Sequence, residues 1–444
     1  MAPLRCLVLG AAGRDFHDFL TFLRRRPELR VVGFTAQQIP FIAARRFPAA
    51  LAGEGYLEDL PIYPEEQLEE LVQREAVDLV VLAYSDLSHA EVMHLASRAL
   101  AAGASFTMLG PKHTELRTKL PVVSVTAVRT GAGKSPLSQA IAAHLRGAGL
   151  RVGVLRHPMP YGDLAAQAIQ RFATPSDLDR ADCTVEEREE YAPYVDRGTT
   201  VWAGVDYERI LRAAEAESDV IVWDGGNNDR SFLAGGLRIC VADALRAGHE
   251  ESYHPGEANF RMADVIVLNK VSGARREDVA ALRASAARLN PRAELVEADL
   301  EVALDHPERV RGKRVLVLED GPTLTHGGMP HGAGLVAARA AGAAELVDPR
   351  PYATGSVKAA LAAHPHLGSV LPALGYSAEQ RAELAATLRA AAPDAIVDAS
   401  PAGIASTLTP ELPVARARYA FVQRTGASLL ERALRHARAG DPPT

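Results

Sequence analysis

The sequence predicts an α/β protein: a P-loop NTPase core with a parallel sheet, preceded by a Rossmann-like α/β domain and followed by a smaller α/β domain. Three observations carry this. Short, β-branched apolar runs that end in glycine or polar residues alternate with helical stretches of mixed polarity, the pattern of strands covered on both faces. One such run, VVSVTAV, leads directly into the glycine-rich RTGAGKS and then a helical segment. At 444 residues the chain exceeds one ordinary domain and suits two or three.

The first domain spans 1–119. Its strands are CLVLGAAG (6–13), LRVVGFTA (29–36), DLVVLAY (78–84) and SFTMLG (105–110), with helices at 64–75 and 89–102 between them. Its first turn has Gly10 and Gly13 in a GxxG arrangement rather than GxGxxG, and no acidic residue ends the second strand to hold a ribose. A structural glycine turn is therefore expected there in place of a dinucleotide site. The core domain, 120–343, contains PVVSVTAV (121–128), DVIVWD (219–224), DVIVLNK (264–270) and RVLVLED (314–320), the last expected to close its sheet. The third domain, 344–444, contains a helix over 378–391 with Ser377 and Gln380 as its capping box, and the strand DAIVDASP (394–401). A basic amphipathic helix ends the sequence and is expected to pack on the domain with its charges in water.

Hydrophobic residues make up 48% and charged residues 23%, a globular composition with material for buried cores. A net charge of -6 excludes a general surface for wrapping nucleic acid. Cys6, Cys183 and Cys240 are far apart and lack ligand spacing, so neither a disulfide framework nor a structural zinc site is expected. The N-terminus reads as a strand rather than a signal peptide, and no uncharged run of about 18 residues is present to span a membrane. A cytoplasmic protein is expected, with neither nucleic acid nor membrane as a partner.

The loop after VVSVTAV carries the clearest chemistry. Backbone N–H groups freed by glycine, together with a helix N-terminus, form an anion cradle. Thr130, Gly131, Ala132, Gly133, Lys134 and Ser135 are its nucleotide-binding residues; Lys134 reaches the β- and γ-phosphates and Ser135 offers Mg2+ a hydroxyl. Val128 stands where the first glycine of a complete Walker motif belongs. Arg129 stands where the deviant motif KGGxGK[ST] carries its additional lysine, and either neutralises phosphate charge, in cis or across a dimer, or caps the loop or faces solvent. Asp224, ending a buried strand, is the Walker B carboxylate and, with Ser135, the expected Mg2+ site. Asn227 replaces the glycine of a switch GTPase. Asn269 and Lys270 resemble a base-reading NKxD element, but Ser272 replaces its aspartate. ATP is thus expected ahead of GTP, which the loop could also hold; K+ is a further candidate ion.

Two polar loops should reach the same sheet edge. RHPMPYGDL (156–164) brings Arg156, His157, Tyr161 and Asp163; DALRAGHEESYHPGEANF (243–260) brings Arg246, His249, His254 and Glu257. Arginines, histidines and carboxylates beside a phosphate cradle are candidate substrate and acid–base groups, and Asn227 and Asn228 offer amides. CTVEEREEYAPYVDRG (183–198) reads as a helix with a solvated glutamate face. PTLTHGGMPHGAG (322–334) reads either as backbone approaching a ligand or as a tight loop.

In order, RTGAGKS, RHPMPYGDL, VEEREEY, GVDYERIL, WDGGNND, YHPGEANF, LNK, GGMPHGAG and VDPRPYATG resemble the cyclic 2,3-diphosphoglycerate synthetase family and its bacterial relatives, which are deviant P-loop NTPases. The resemblance is strong from Val122 to Tyr352. It implies an ATP-dependent ligase that closes 2,3-bisphosphoglycerate into an intramolecular phosphoanhydride, releasing ADP and phosphate, and a homodimer. It implies catalytic roles for Lys134, Arg129, Asp224, His249, His254 and Glu257. It also implies that Arg156, His157, Tyr161, Asp163, Asn227, Asn228 and Arg246 hold a small phosphorylated acid. DALRAGHE departs from the family's HRPGHE pattern, which leaves the substrate open. A nucleotide-driven switch or metallochaperone acting on a protein partner is the alternative; the residues at 227 and 272 and the lack of a cysteine pair stand against it.

Overall fold

The computed structural model describes residues 2–37, 45–156, 162–226, 229–319, 321–325, 328–374, 377–400 and 403–439. Runs rich in valine and isoleucine form strands buried on both faces: every residue of Val122–Ala127, Val220–Asp224 and Val265–Asn269 is buried. They belong to a 13-stranded sheet. Val122–Ala127 lies between Val220–Asp224 and Leu237–Asp243, parallel to both. The chain places Val152–Arg156 beyond the first neighbour, and Val265–Asn269 beyond the second. Connections therefore diverge at the C-terminal end of Val122–Ala127, the kind of place at which open α/β sheets bind their ligands.

Glu294–Leu304 links the core to the rest of this sheet. Its first residues pair in parallel with Val265–Asn269; its later ones pair antiparallel with Val414–Gln423. Ala395–Ala399, Arg314–Glu319 and Glu345–Leu346 follow beyond. The strand at 314–320, expected to close the core sheet, thus pairs with Ala395–Ala399 instead. Val414–Gln423 already occupies the edge it was assigned. Its apolar residues share one core with residues from Val310 to Ala415, so the break in packing falls before this strand rather than at 344.

The last helix, Leu429–Ala439, returns to the core and packs Leu429, Ala433, Leu434 and Ala437 with residues of the P-loop helix, Lys134–Gly147. His436 Nε2 sits 2.9 Å from the Val122 carbonyl, and His144 Nε2 3.1 Å from Glu431. Ser377 and Gln380 form the expected capping box of Ala378–Ala390. In the glycine loop, the buried Glu319 carboxylate accepts from the N–H groups of Gly332, Gly334 and Leu335. A β-carbon on Gly332 would lie 2.4 Å from that carboxylate, so this glycine allows a close approach of backbone to protein, while Gly321–Thr325 forms a short helix.

The N-terminal sheet has six strands with Leu4–Leu9 between Leu29–Ala36 and Leu79–Leu82, parallel to both. Its glycine turn serves the fold. Asp15 Oδ1 accepts from the N–H groups of Ala12, Gly13 and Phe16 at 2.8, 3.0 and 2.7 Å, filling the position where a helix N-terminus would hold an anion. The same helix, Arg14–Thr21, docks on the core. Arg14 Nε donates to Asp229 at 2.7 Å, and His17 stacks flat on Phe232 with ring centres 4.0 Å apart. Burial and the nearby Arg14 push His17 down to about 3, so its ring enters this contact neutral. Among the described residues no helix is long and apolar enough to cross a membrane.

Candidate active site

The loop between Val122–Ala127 and Lys134–Gly147 is tied down by its carbonyls. Arg246 donates to the Thr130 carbonyl at 2.7 Å, Lys270 Nζ to that of Gly131 at 2.7 Å, and Asn269 Nδ2 to that of Ala132 at 2.8 Å. Asp243 holds Lys270 and Arg246 in turn, at 2.8 and 2.9 Å. C=O and N–H of one trans peptide point in opposite directions. Anchoring the carbonyls of Thr130 and Ala132 therefore aims the N–H groups of Gly131 and Gly133 away from these anchors. Those glycines have φ of +79° and +100°, which bulky residues adopt only with strain. Asn269 and Lys270, expected to bind the nucleotide base, thus brace the loop. Ser272 donates to Asp299 through N (2.9 Å) and Oγ (2.5 Å), and Arg424 also takes that carboxylate.

Asp224 is the hub beside the loop. It is wholly buried; Oδ1 accepts from Lys134 Nζ at 2.5 Å, while Oδ2 accepts from Tyr194 OH at 2.6 Å and from Arg156. Arg156, also buried, pairs with Glu190 as well. Burial alone would raise the Asp224 pKa, but Arg156, Lys134 and Tyr194 outweigh it and hold the carboxylate near about 2. Burial brings Lys134 down to about 8 against the opposing pull of Asp224. Tyr194, pushed well above its ordinary value by burial and by Asp224, remains a donor.

Tyr194 and Glu190 lie on the helix Val185–Val195, read from sequence as a solvated glutamate face. The structure corrects that reading. Glu187 and Glu189 are buried along with Tyr191 and Tyr194, because this helix covers the sheet edge beside Arg156 and one turn of it meets Asp224. Glu187 also closes the capping box with Thr184. Alternating glutamates suggest solvent; the tyrosines at 191 and 194, three residues apart, were the signal for a buried face.

The remaining sequence candidates divide. Arg129 lies 2.8 Å from Asp86 and 3.8 Å from the Tyr253 ring centre. His249 also packs on Tyr253, at 4.8 Å between rings, so it shares the neighbourhood of the loop. Burial, Arg129 and Arg246 lower it to about 4. His254 is lowered to about 4 by burial and by Arg230 and Arg14, and it faces the interface with the N-terminal domain. Both histidines are neutral at pH 7. Glu257 pairs with Arg261 and His89, again on the domain interface. Asp163 is exposed, and its Oδ1 accepts from the N–H groups of Ala165 and Ala166, so the carboxylate also closes its own turn. His157, Tyr161, Asn227 and Asn228 lie outside the described residues.

The donor set suits a nucleotide with Mg2+. Ser135 and Asp224 provide a hydroxyl and a carboxylate, hard oxygen donors that leave the other positions of the ion to phosphate and water. Such an ion would draw charge from the phosphates. Among the described residues no group of three or more His, Cys, Asp or Glu could hold a metal by itself. Thr130 Oγ1, Asn269 Oδ1 and His249 Nδ1 are buried polar atoms with no hydrogen-bond partner among the described residues, and all belong to the loop or to segments bordering it. Lys134 would have to exchange Asp224 for phosphate oxygens.

No family model matches the sequence. Over 415 residues, 94% of this chain and 93% of the other, it is 54% identical to the arginine synthetase ArcE of Thermococcus kodakarensis. The chain belongs to the ArcE family. Among solved structures, this ArcE-family chain is similar to LpxK from Aquifex aeolicus in complex with ATP, at 12% identity over 73% of this chain and 90% of that one, TM-score 0.43. It is also similar to the UDP-N-acetylmuramate:L-alanyl-gamma-D-glutamyl-meso-diaminopimelate ligase of Neisseria meningitides, at 13% identity over 67% and 81%, TM-score 0.27. Likenesses at those scores carry no argument about fold or function.

Gly133→Ala tests the loop directly. Its β-carbon would lie 2.1 Å from Asn269 Nδ2 at a positive φ. The strain is of order 1–3 kcal/mol, so ATP binding measured by calorimetry should weaken by roughly 5-fold to 150-fold. Unaltered affinity would show that the loop does not bind the phosphates.

Proposed function

We propose that this chain is an ATP-dependent ligase that transfers the γ-phosphoryl group to an oxygen of its acceptor and lets a nitrogen nucleophile displace the phosphate. The reading is carried by the 54% identity to an arginine synthetase along nearly the whole chain. The braced P-loop with Lys134 beside Asp224 supports it. Arginine differs from its ureido counterpart, citrulline, only in that a C=O has become C=N. Making that change requires the ureido oxygen to leave. Phosphorylation at oxygen forms an O–P bond and breaks the γ-P–O bond to ADP. Ammonia then adds to the activated carbon, the C–O bond breaks, the oxygen departs in inorganic phosphate, and the nitrogen sheds its surplus proton.

The residues suit such a sequence by positioning and charge. Lys134 and Arg129 serve the phosphates, while Asp224 with Tyr194 and Glu190 sets the direction of Arg156. The closing of 2,3-bisphosphoglycerate into its cyclic anhydride has the same opening step, and the motif resemblance supports it as the second reading. It brings more phosphate charge into one pocket, however. Here the five cations Lys134, Arg156, Arg129, Arg246 and Lys270 face four carboxylates, Asp224, Glu190, Asp86 and Asp243, the last shared by Arg246 and Lys270, so only one positive charge is in excess. That balance supports the less anionic acceptor.

Incubation with MgATP, citrulline and ammonia should yield arginine, ADP and phosphate in equal amounts, and Lys134→Ala should abolish them. A cyclic anhydride signal in phosphorus NMR with 2,3-bisphosphoglycerate, and no arginine, would favour the second reading. ADP formation with neither acceptor would contradict ligation. The pH profile follows from Lys134. Its lowered pKa means that its charge is present below about 8 and lost above it, so kcat/KM for ATP should fall as pH rises through 8. A profile flat to well above that pH would separate Lys134 from nucleotide binding.

A further inference from the structure

We propose that Asp86, from the N-terminal domain, positions Arg129 for catalysis, so that this domain completes the active site. The proposal rests on the reading that Arg129 acts on the transferring phosphoryl group. Asp86 follows the strand Leu79–Leu82 in a turn where its φ is +64°, a conformation uncommon outside glycine. The next residues, Leu87–Ser88, pair antiparallel with Tyr253–His254 of the core, and the His89 N–H donates to the Ser252 carbonyl at 2.9 Å. This ribbon is seated against the loop. A β-carbon on Gly256 would lie 2.2 Å from the Val128 carbonyl oxygen, on the residue just before Arg129.

Two groups of the ribbon meet the Arg129 side chain. The Asp86 carboxylate approaches Nε at 2.8 Å, and the Tyr253 ring lies under Cζ at 3.8 Å. The carboxylate pairs with the charge and the ring covers one face, which together restrict where the guanidinium can lie. The pair is nearly buried, with side-chain exposures of 11% and 12%, so water competes weakly for it. An arginine that neutralises a transferring phosphoryl group gains from being oriented beforehand, because a long free side chain would have to lose its rotamer freedom during the reaction. Sequence spacing could not show this, since the carboxylate arrives from another domain.

The test is a set of four variants, Asp86→Asn, Asp86→Glu, Arg129→Ala and the double variant D86N/R129A, followed by ADP release from MgATP with and without citrulline and ammonia. Thermal midpoints serve as the control for folding. Asp86→Asn should lower kcat at least roughly tenfold while KM for ATP changes less than about threefold, because orientation is lost and not the cradle. Asp86→Glu should recover most of the rate. The double variant should be no slower than Arg129→Ala, since the two residues act as one unit. Multiplying losses in the double variant, or wild-type kcat in Asp86→Asn while Arg129→Ala is impaired, would overturn the positioning role. Wild-type kcat in Arg129→Ala would overturn the role of Arg129 itself and this proposal with it, so the two failures are told apart by which single variant is silent.

Discussion

The carboxylate of Asp224 is the constraint on which the rest of the site depends. A buried anion must be compensated, and compensation here comes from three separate parts of the chain: the P-loop lysine, Arg156 from the neighbouring strand, and Tyr194 from a helix at the sheet edge. Removing one such partner from a buried pair typically costs about 3–5 kcal/mol, because the remaining charge is stranded. The arrangement therefore fixes Lys134 and Arg156 in relation to each other. It also keeps Lys134 poised, since burial has drawn its pKa to about 8 while the contact with Asp224 retains its proton. Phosphate oxygens offer the same lysine a competing set of anionic partners.

A second set of contacts steadies the loop from behind. Asp243 gathers Lys270 and Arg246, and these hold loop carbonyls. Two carboxylates, one on each side of the P-loop strand, thus divide the work: Asp243 shapes the cradle and Asp224 orients the cations that face it. The N-terminal domain contributes a third carboxylate, Asp86, through the short ribbon that joins it to the core. Each of these cations faces a carboxylate, with Asp243 shared by two of them, which is how several cations can be concentrated around the loop of a chain whose net charge is -6.

Legibility from sequence followed the range of the interactions. RTGAGKS and the strand ending in Asp224 were readable because phosphate binding needs contiguous residues at fixed spacing and a buried strand has its own apolar pattern. The GxxG turn at Gly10 was readable as structural for the same reason, and Asp15 supplies the detail. Strand order has no such local signature, so 314–320 was assigned to an edge that Val414–Gln423 takes. Tyr194 and Glu190 were hidden by a glutamate-rich helix whose polar composition suggested solvent. His249 and His254 were visible as histidines, but their neutrality depends on burial and on arginines brought close only by folding. The turn that Asp163 closes with its own carboxylate was equally invisible, since it depends on the local backbone.

The central claim is that the nucleotide activates an acceptor oxygen by phosphorylating it. Citrulline carrying 18O in its ureido group tests this directly. If γ-phosphoryl transfer precedes nitrogen attack, the label must leave carbon with the phosphate, and mass spectrometry of the released inorganic phosphate will find one 18O per arginine formed. Arginine formation with unlabelled phosphate would contradict the claim, because the ureido oxygen would then have left without ever being bonded to phosphorus.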